Sequence, residues 1–397
     1  MTHVARGGLI AGIFGVLFSC AVALEHSPVR ADDLDAALGR ALFKRQWVPA
    51  PSSTDASDGL GPLFNARSCE ACHRGGGGSR IRGDASGQRD LEGAVVRLGT
   101  ADGAADPTYG VQLQTEAVPG LRAEGRVRVL PKLSLSLAAG PLANGVRAGV
   151  RQAPPLHGRA VLDDIPDEEI LKRDDPDDRD GDGISGRVNR TGGRIGRFDW
   201  KAGQPTLEAQ IARAFRLDLG MSSPLEPHAH GDCTPRQTGC LQAPSGGSAI
   251  ADGHEISSRI LTLIGSYLRS LEASSPPPDP AGEALFASTG CALCHVPLLK
   301  DRNGTDRRVF SDLLLHDMGG ELDDGAGEPG VASSEWRTAP LTGRNGAGGA
   351  RYLHDGSARS IAGAIAKHGG EAAMARRQFN KLKPADRQKL IDYVRRL

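Results

Sequence analysis

Cys291-Ala292-Leu293-Cys294-His295 has the spacing C-x-x-C-H, at which a c-type haem is attached. Two thiols on one turn can reach the two vinyl groups of a haem, and the histidine that follows can bind its iron. The preceding residues 281–286, AGEALF, are predicted to form a short helix that packs on the haem. This stretch therefore predicts a haem-binding unit near the C-terminal end of the chain.

The same pattern occurs earlier in the chain, as Cys69-Glu70-Ala71-Cys72-His73. A bare C-x-x-C pair also occurs in zinc sites and in thioredoxin-type redox sites, and these are the alternatives. A histidine directly after each pair favours haem over both of them. We therefore predict two covalent haems, attached through Cys69, Cys72, Cys291 and Cys294, with His73 and His295 as iron ligands.

Length and composition narrow the class of protein. The 397 residues are enough for two or three domains and a sizeable core. Lys and Arg together number 48, as do Asp and Glu, so no excess charge points to nucleic acid or anionic lipid. Aromatic residues make up only 4% and glycine numbers 53, which favours a loop-rich chain whose cores are completed by porphyrin.

The N-terminal segment 1–23 is typical of an export signal. Arg6 precedes an apolar run at 9–18, and Ala21-Val22-Ala23 fits the usual cleavage site. This run is too short to cross a bilayer and no other run is suitable, so we expect an exported, periplasmic protein without a membrane span. A lipoprotein anchored through Cys20 is the alternative, although the residue before Ser19 fits that pattern poorly.

Cys233 and Cys240 are the two remaining cysteines after the leader and the motifs. In an oxidising compartment they are expected to form one disulfide that closes a small loop. A redox-active pair is the alternative, but the spacing C-x6-C lacks the helix-start geometry that lowers a thiol pKa. We therefore favour a structural disulfide.

Hydrophobic spacing predicts a first helix at 32–43 and later helices at 256–271 and 386–397. Each of the two later helices ends a stretch that began with Leu-Phe and C-x-x-C-H. This internal repeat predicts two cytochrome c-like units, each with an entry helix, a haem and a closing helix. The predicted fold class is therefore mainly α.

Domain boundaries follow from composition and from the period of the pattern. The proline-rich run at 274–280 is a stiff linker, which separates an N-terminal haem domain at 31–273 from a C-terminal cytochrome c domain at 281–397. Residues of about 92–138 include the stretches VQLQT and RVRVL, in which polar and apolar residues alternate as they do in half-buried strands. We predict a small β insertion there, and long loops, within the first domain.

Asp178, Asp180 and Asp182 begin a stretch, 178–189, that fits the start of a calcium loop. Carboxylates at alternate positions can converge on one ion. The twelfth position is Asn189, whereas the full pattern has a bidentate Glu. The sequence therefore leaves two interpretations, a calcium site on the three aspartates and a solvated acidic turn.

Tyr352-Leu353-His354-Asp355-Gly356 resembles the Y-F-H-D-G motif of the bacterial di-haem cytochrome c peroxidases and of the related di-haem enzyme MauG. Stretches at 180–187, 231–234, 310–319 and 335–341 resemble those of the di-haem oxidoreductase family, whose members are called peroxidases or thiol oxidoreductases. The resemblance covers residues of about 35–397. It implies two haems, one closed relay and one reactive centre.

The resemblance also indicates an axial ligand for the second haem. In the peroxidases a distal Met follows the motif histidine by fourteen residues, and here that position is His368. Residues 359–367 are predicted to form a short helix that Gly369 ends, which would let a ligand in the last turn reach an iron. We predict His295 and His368 as the two ligands, with a surface histidine at a helix end as the alternative. Competing ligands in the same domain are His316, Met318 and His354.

In the peroxidases a Trp lies between the haems, a Gln follows ten residues later, and a catalytic Glu follows ten after that. Trp200 and Gln210 keep this spacing, but the third position is Gly220. Asp218 is the expected replacement for the missing acid, and simple packing is the alternative role for Trp200. Candidate sixth ligands for the first iron are His157, Met221, His228, His230 and His254.

The resemblance implies a peroxidase-type oxidoreductase that reduces peroxide at the N-terminal haem, with electrons relayed by the C-terminal haem. Its expected cofactors are two covalent haem c groups and, on one interpretation of the acidic loop, calcium. Its expected partners are a small redox protein or quinol-linked electron donor, and peroxide or another small oxidant. The alternatives are an electron-transfer cytochrome with two closed haems, a MauG-like enzyme that oxidises a partner's side chain, and a thiol oxidase.

Overall fold

Short helices and short strands alternate along the chain, joined by long loops. The computed structural model describes residues 1–2, 31–53, 57–79, 93–129, 133–248, 251, 253–343 and 351–397. Within them the α-helices are α1 Ala31–Lys44, α2 Cys69–Cys72, α3 Asp167–Leu171, α4 Leu207–Leu219, α5 Thr238–Leu241, α6 Ser258–Ser270, α7 Pro280–Ser288, α8 Ile361–Ala366, α9 Ala373–Lys381 and α10 Pro384–Arg396.

The strands are short and form small sheets of two or three strands. They are β1 Leu63–Phe64, β2 Ala94–Gly99, β3 Gln112–Leu113, β4 Glu116–Ala117, β5 Gly125–Val129, β6 Leu133–Leu137, β7 Arg147–Gln152, β8 Arg190–Thr191, β9 Arg194–Ile195, β10 Leu298–Lys300, β11 Asp306–Arg308, β12 Leu315–Asp317 and β13 Glu335–Arg337. One sheet has the order β3-β2-β7, and the two-stranded sheets are β1-β4, β5-β6, β8-β9, β10-β11 and β12-β13.

The predicted mainly α fold of two cytochrome c-like domains is wrong. Of the described residues, 31% are helical and 17% are in strands or bridges, spread over several small sheets. The prediction of a mainly α fold rests on the helical pattern of the segments next to the two motifs, and that pattern does not extend to the rest of the chain. The intervening segments contain many of the 53 glycines and 25 prolines, which favour turns and short strand pairs over long helices.

The largest apolar core lies where α1, α4 and α6 meet. Leu261, Ile264 and Leu268 follow helical spacing along α6 and are all buried, which confirms the helix predicted in this part of the chain. Ser257 caps this helix by accepting a hydrogen bond from the Ile260 N–H, 3.4 Å away. The core therefore holds the N-terminal motif, whose Cys69 packs against its edge.

The same core includes residues from beyond the proline-rich run, namely Leu299, Val309, Leu313 and Leu314. A second apolar cluster is formed by Phe286 of α7 together with residues of the C-terminal helices, including Phe379, Leu390 and Tyr393. Segments on both sides of 274–280 therefore share one core, while the predicted domain boundaries themselves stay a prediction.

Two sheets place the residues of the candidate site. β7 pairs with β2 over its whole length, and Arg151 of β7 forms ion pairs with Asp324 and Glu328. β12 pairs with β13 so that His316 faces Trp336 across the strands. The ion pairs of Arg151 therefore bring β7 beside Asp324 and Glu328, which are far from it in sequence.

Some of the features predicted from the sequence lie partly or wholly outside the described residues. Residues 3–23 of the predicted leader, including Cys20, are among them. The predicted β insertion at about 92–138 contains β2 to β6 where it is described. Among the described helices, none is long and apolar enough to cross a membrane.

The crossing of α1 and α6 generates a stability prediction. A Cβ at Gly39 would lie 1.8 Å from the Leu263 carbonyl oxygen, so Gly39→Ala must force the helices apart. Overpacking of this kind costs about 1–3 kcal/mol, which a denaturant titration would measure as a lower free energy of unfolding.

The matched control for this prediction is Gly265→Ala in α6. The nearest atoms to its new methyl group would be the Glu208 Oε1 at 3.4 Å and the ends of the Ile211 and Leu207 side chains at 4.0 Å, which is ordinary contact. Because glycine inside a helix costs roughly 0.5–1 kcal/mol relative to alanine, this change should leave stability unchanged or raise it. Equal losses for both variants would contradict the close crossing at Gly39.

Candidate functional site

A large cavity lies beside the second C-x-x-C-H motif. Its volume is about 630 Å³, within the range of about 300–1,000 Å³ that is usual for cofactor sites. Cys291 and Cys294 line it from a 3-10 turn at Cys291–Leu293, and His295 and His368 line it too. The wall is largely apolar, with Phe286 among its residues. These residue types suit a haem: two tethering thiols, two imidazoles and an apolar lining.

The two histidines in this cavity are held in the same way. His295 donates from Nδ1 to the Phe310 carbonyl at 3.1 Å, and His368 donates from Nδ1 to the Ala364 carbonyl at 2.9 Å. A carbonyl oxygen can only accept, so each ring carries its proton on Nδ1 and keeps Nε2 for a metal. The structure therefore brings His295 and His368 to one cavity in the tautomer that an iron ligand needs.

Burial keeps both rings neutral. Burial, and after it the nearby His368, lowers the pKa of His295 to about 4. Burial is also the main cause of the lowered pKa of His368. A neutral imidazole is the form that binds metal, so the environment of the cavity favours ligation at neutral pH. The assignment of both as axial ligands stays a prediction.

The first motif is built in a similar way on the short helix α2. Ser68 caps this helix by accepting from the Ala71 N–H at 3.3 Å. His73 follows it and donates from Nδ1 to the Pro154 carbonyl at 3.0 Å. Burial lowers the pKa of His73 to about 4, so this ring is neutral and its Nε2 is likewise kept for a ligand.

The motif thiols are poor candidates for thiol redox chemistry. Burial, and then the charge of Asp218, raises the pKa of Cys69 to about 12. Burial likewise raises the pKa of Cys291 and of Cys294. Reactive thiols need a lowered pKa, because the thiolate is the nucleophile. The environment of these cysteines therefore disfavours the alternative of a thioredoxin-type redox pair and suits groups that are consumed in thioether bonds.

Three rings lie in contact beside the large cavity. His354 stacks on Trp336 with ring centres 3.6 Å apart, and meets Trp200 edge-on at 6.5 Å. Trp200 and Trp336 each donate from the indole nitrogen to a backbone carbonyl, of Gln152 and Leu322 respectively. All three rings line the cavity, and Trp200 also lines a second, smaller cavity. Trp200 therefore lies in the walls of two cavities.

Two basic side chains, Lys201 and Arg151, lie against the Trp336 ring. Lys201 is 0% exposed, and its ammonium nitrogen lies 3.6 Å from the centre of the Trp336 ring. The guanidinium of Arg151 lies 4.8 Å from the same ring. Lys201 also donates to the backbone carbonyls of Ala332, Ser333 and Glu335. Burial lowers the pKa of Lys201 to about 7, whereas Asp324 and Glu328 raise the pKa of Arg151 despite its burial. Arg151 is therefore the group that stays charged near this ring, and a cation there opposes the removal of an electron from Trp336.

The structure explains why the expected catalytic acid is absent. Gly220 ends α4 in the left-handed conformation, with φ of 70°. A Cβ there would lie 2.6 Å from the Leu63 carbonyl oxygen and 2.9 Å from the Gly61 Cα. Only glycine fits a helix end of this geometry at so close an approach. A glutamate could therefore not occupy this position without a different path for the chain.

The helix α4 carries both Gln210 and Asp218, which the sequence predicts as catalytic residues together with Trp200. Asp218 accepts a hydrogen bond from Gln112 Nε2 at 2.8 Å, and burial raises the pKa of its carboxyl group. It lies close enough to Cys69 to influence that thiol. Gln210 has a buried side-chain oxygen without a hydrogen-bond partner among the described residues. Their catalytic roles stay a prediction.

The three aspartates of the acidic loop lie together at the surface. Ligand oxygens of Asp178, Asp180 and Asp182 all lie within 4.8 Å of one another. Asn189, at the twelfth position, instead donates from its side chain to the Lys201 carbonyl. Calcium binding stays a prediction, and a melting temperature that is unchanged by chelator, with no metal in the purified protein, would contradict it.

Cys233 and Cys240 are bonded to each other, with Cα atoms 6.3 Å apart. The short helix α5 contains Cys240, which is buried. Asp232, beside the disulfide, accepts hydrogen bonds from the Val111 and Gln112 N–H groups of the strand β3 region. The bridge therefore stabilises a loop that packs on the first part of the chain.

Sequence reasoning missed a charged cluster that connects the two ligand segments of the large cavity. His316 is hydrogen-bonded through Nε2 to Asp312 at 2.9 Å and through Nδ1 to Glu371 at 2.7 Å. These two carboxylates raise the pKa of His316 despite its burial, so the ring is charged at neutral pH. Glu371 lies three residues after His368, and Asp312 donates from its backbone N–H to the Cys294 carbonyl. The pattern had suggested His316 only as a competing iron ligand.

Comparison with known proteins identifies the class. Residues 132–397 match the family described as "Di-haem oxidoreductase, putative peroxidase", which is more than half of the chain. The protein therefore belongs to the di-haem oxidoreductase family, as the resemblance in its motifs indicated, and haem is its expected cofactor. No curated protein matches the chain.

Among solved structures, the chain is similar to hydrazine synthase of Kuenenia stuttgartiensis, in crystals pressurised with 20 bar of xenon. The identity is 14% and the TM-score is 0.40, over 99% of this chain and 100% of that one.

The environment of His354 generates a prediction about pH. The side chain is 6% exposed, and burial together with Arg151, Lys201 and Lys367 holds its pKa well below the ordinary value. Below a pH of about 6.5 the unfolded chain binds a proton here that the native state does not bind, so stability falls as pH falls. The contribution is about 1.4 kcal/mol for each pH unit below that value, until the native ring also titrates.

His354→Gln should therefore show a shallower loss of the free energy of unfolding between pH 6.5 and pH 5 than the parent protein. Denaturant titrations at a series of pH values would measure it. His228→Gln, at an exposed histidine, is the matched control and should leave the slope as it was. The same slope for parent protein and His354→Gln would show that His354 is not held neutral.

Proposed function

We propose that the protein is a peroxidase-type di-haem oxidoreductase, in which the first motif carries the peroxide-reducing centre and the second motif relays electrons. The observation that carries this proposal is the position of Trp200. Its side chain lines the large cavity of His295 and His368, and it also lines the smaller cavity beside Pro154, whose carbonyl holds His73. An indole that borders the cavity of His295 and His368, and also lies in one cavity with the residue whose carbonyl holds His73, is suitably placed to pass electrons between the two proposed haems.

The site residues fit haem, which when bound would supply the iron that takes up peroxide and exchanges electrons. The chain's own contribution is to hold three neutral imidazoles by their Nδ1 atoms, at His73, His295 and His368. Export through the predicted leader would bring the chain to the compartment where c-type haem is attached, so a periplasmic location is part of this proposal.

Asp218 is the group that we assign to proton transfer near the first motif. Burial raises its pKa, which lets a carboxyl group hold a proton closer to neutral pH than usual. Gln112, which donates to it at 2.8 Å, also donates to the Asn65 side chain at 2.7 Å, so the carboxyl group is fixed in a polar network. An acid held in this way could deliver a proton to a departing oxygen.

A second function is favoured by one observation, the glycine at position 220. The helix end there excludes a side chain where the peroxidases carry their catalytic Glu. Without that acid, two haems that each have two protein ligands would form an electron-transfer cytochrome. The number of high-spin irons in the resting protein separates the two functions, because peroxide reduction needs an open iron.

The ligand assignment generates a spectroscopic prediction. The parent protein should retain two haems after denaturation, and the double change Cys69→Ala with Cys72→Ala should leave one. His368→Ala should keep two haems but convert one low-spin iron to high-spin, because the imidazole opposite His295 is lost. Pyridine haemochrome spectra would count the haems, and EPR spectra would report the spin states.

The control for this experiment is His354→Gln, which changes a ring of the same cavity that we do not assign to iron. It should keep the low-spin signal. Haem that extracts into acidified organic solvent would contradict covalent attachment. Loss of the low-spin signal in His354→Gln or Met318→Ala, but not in His368→Ala, would contradict the ligand assignment.

The electron path generates a kinetic prediction. Trp200→Phe should slow electron transfer between the haems, because phenylalanine is harder to oxidise and lacks the N–H that binds the Gln152 carbonyl at 2.9 Å. Flash photolysis of the partly reduced protein would measure the rate. Trp336→Phe is the matched control and should leave the rate nearly unchanged, because the Arg151 guanidinium already opposes oxidation of that ring. Equal rates in the parent protein and Trp200→Phe would remove Trp200 from the path.

A further inference from the structure

A small cavity beside Trp200 is lined by three arginines, Arg159, Arg337 and Arg351. We call it the arginine cavity. Its volume is about 40 Å³, more than the roughly 10–15 Å³ that a single water needs, so a carboxylate group fits. Among the described residues of its lining, none is an aspartate or a glutamate. The cavity therefore has room for an anion beside its arginines.

Arg337 is the residue of this cavity whose charge most needs a partner. It is 8% exposed, and its side chain donates to the backbone carbonyls of Asp199, at 2.8 Å, and Thr338, at 3.1 Å. Within the described part of the chain, no carboxylate lies within ion-pair distance of it. A buried charge is costly, and the carboxylates of Asp199 and Asp312, which raise the pKa of Arg337 against the effect of burial, form no ion pair with it and offset only part of that cost.

The rest of the cavity is rigid and built from distant segments. Arg159 donates to the Pro155 and Pro340 carbonyls and to the Thr342 hydroxyl, at 3.2, 2.8 and 3.3 Å. Arg337 belongs to β13, whose pairing with β12 fixes its backbone. A planar guanidinium held in this way matches the two oxygens of a carboxylate.

The arginine cavity adjoins the large cavity. Trp200, Arg337 and Ala339 line both of them. A haem tethered through its vinyl side to Cys291 and Cys294 carries its two propionates on the other side of the porphyrin, so they must find partners away from the cysteines. Other arginines that line the large cavity are Arg376 and Arg395, and Arg395 is exposed and already paired with Asp392. Arg337 is the buried alternative.

We propose that the arginine cavity is a carboxylate-binding site, in which Arg337 binds a propionate of the haem in the large cavity. The proposal needs haem in that cavity but does not depend on peroxide as the substrate. A free carboxylate from solution has the same chemistry and is the other source of the anion. The midpoint potential of the haem, which can be measured without turnover, separates this proposal from the proposed function.

The test compares Arg337→Gln, Arg337→Lys and Arg194→Gln in the purified holoprotein. Arg337→Gln should lower the midpoint potential of this haem, because a cation nearby stabilises the reduced state, and it should shift the propionate bending band in the resonance Raman spectrum. Arg337→Lys keeps the positive charge but loses the planar guanidinium that binds both carboxylate oxygens. It should therefore shift the propionate band and leave the midpoint potential nearly unchanged. Arg194→Gln, at an exposed arginine outside both cavities, should change neither.

Acetate is the probe for the other source of the anion. Added acetate should not change the spectrum or the potential of the parent protein if a propionate fills the site. A saturable response to acetate in the parent protein, with an unshifted propionate band in Arg337→Gln, would keep the carboxylate site but overturn the haem as its source. An unshifted band and potential in Arg337→Gln, without any acetate response, would overturn the proposal. If Arg337→Gln does not fold, the propionate band of Arg337→Lys is the test: a shifted band would support the proposal, and an unshifted band would overturn it.

Discussion

The site depends on one recurring interaction, a hydrogen bond from a histidine Nδ1 to a backbone carbonyl. It is made by His73 to Pro154, by His295 to Phe310 and by His368 to Ala364. Each bond sets the tautomer and the direction in which Nε2 points, while burial keeps the ring neutral. Two of the carbonyls come from segments well away from their histidines in sequence, so the ligand geometry requires the tertiary fold to be in place first.

Charged groups connect the segments that supply these carbonyls and rings. Arg151, next to the Gln152 whose carbonyl holds Trp200, pairs with Asp324 and Glu328 across the molecule. The cluster of Asp312, His316 and Glu371 joins the segment after His295 to the segment after His368. Breaking such a buried pair leaves an uncompensated charge, so these groups hold the cavity walls in one arrangement.

Much of the candidate site could be predicted from sequence because its signals are local. The spacing C-x-x-C-H identifies thiols and an imidazole within one turn, and the offset from His354 led to His368, which the structure places in the cavity of His295. The fold could not be predicted in the same way. Strands such as β12 and β13 have only three residues each, and their pairing depends on contacts between distant segments that carry no periodic signal. For this reason the mainly α prediction was wrong.

The sequence by itself determined the chemistry that is available: two pairs of thiols with a histidine after each, a disulfide pair, and an indole at the spacing known from related proteins. Only the tertiary structure decided which of these groups meet. It placed Trp200 in the walls of two cavities, stacked His354 on Trp336, buried Arg337 in the wall of both cavities, and put a left-handed glycine where an acid was expected. The physical reason is that burial, charge pairing and close backbone approach arise from residues brought together by the fold, and local spacing contains no information about them.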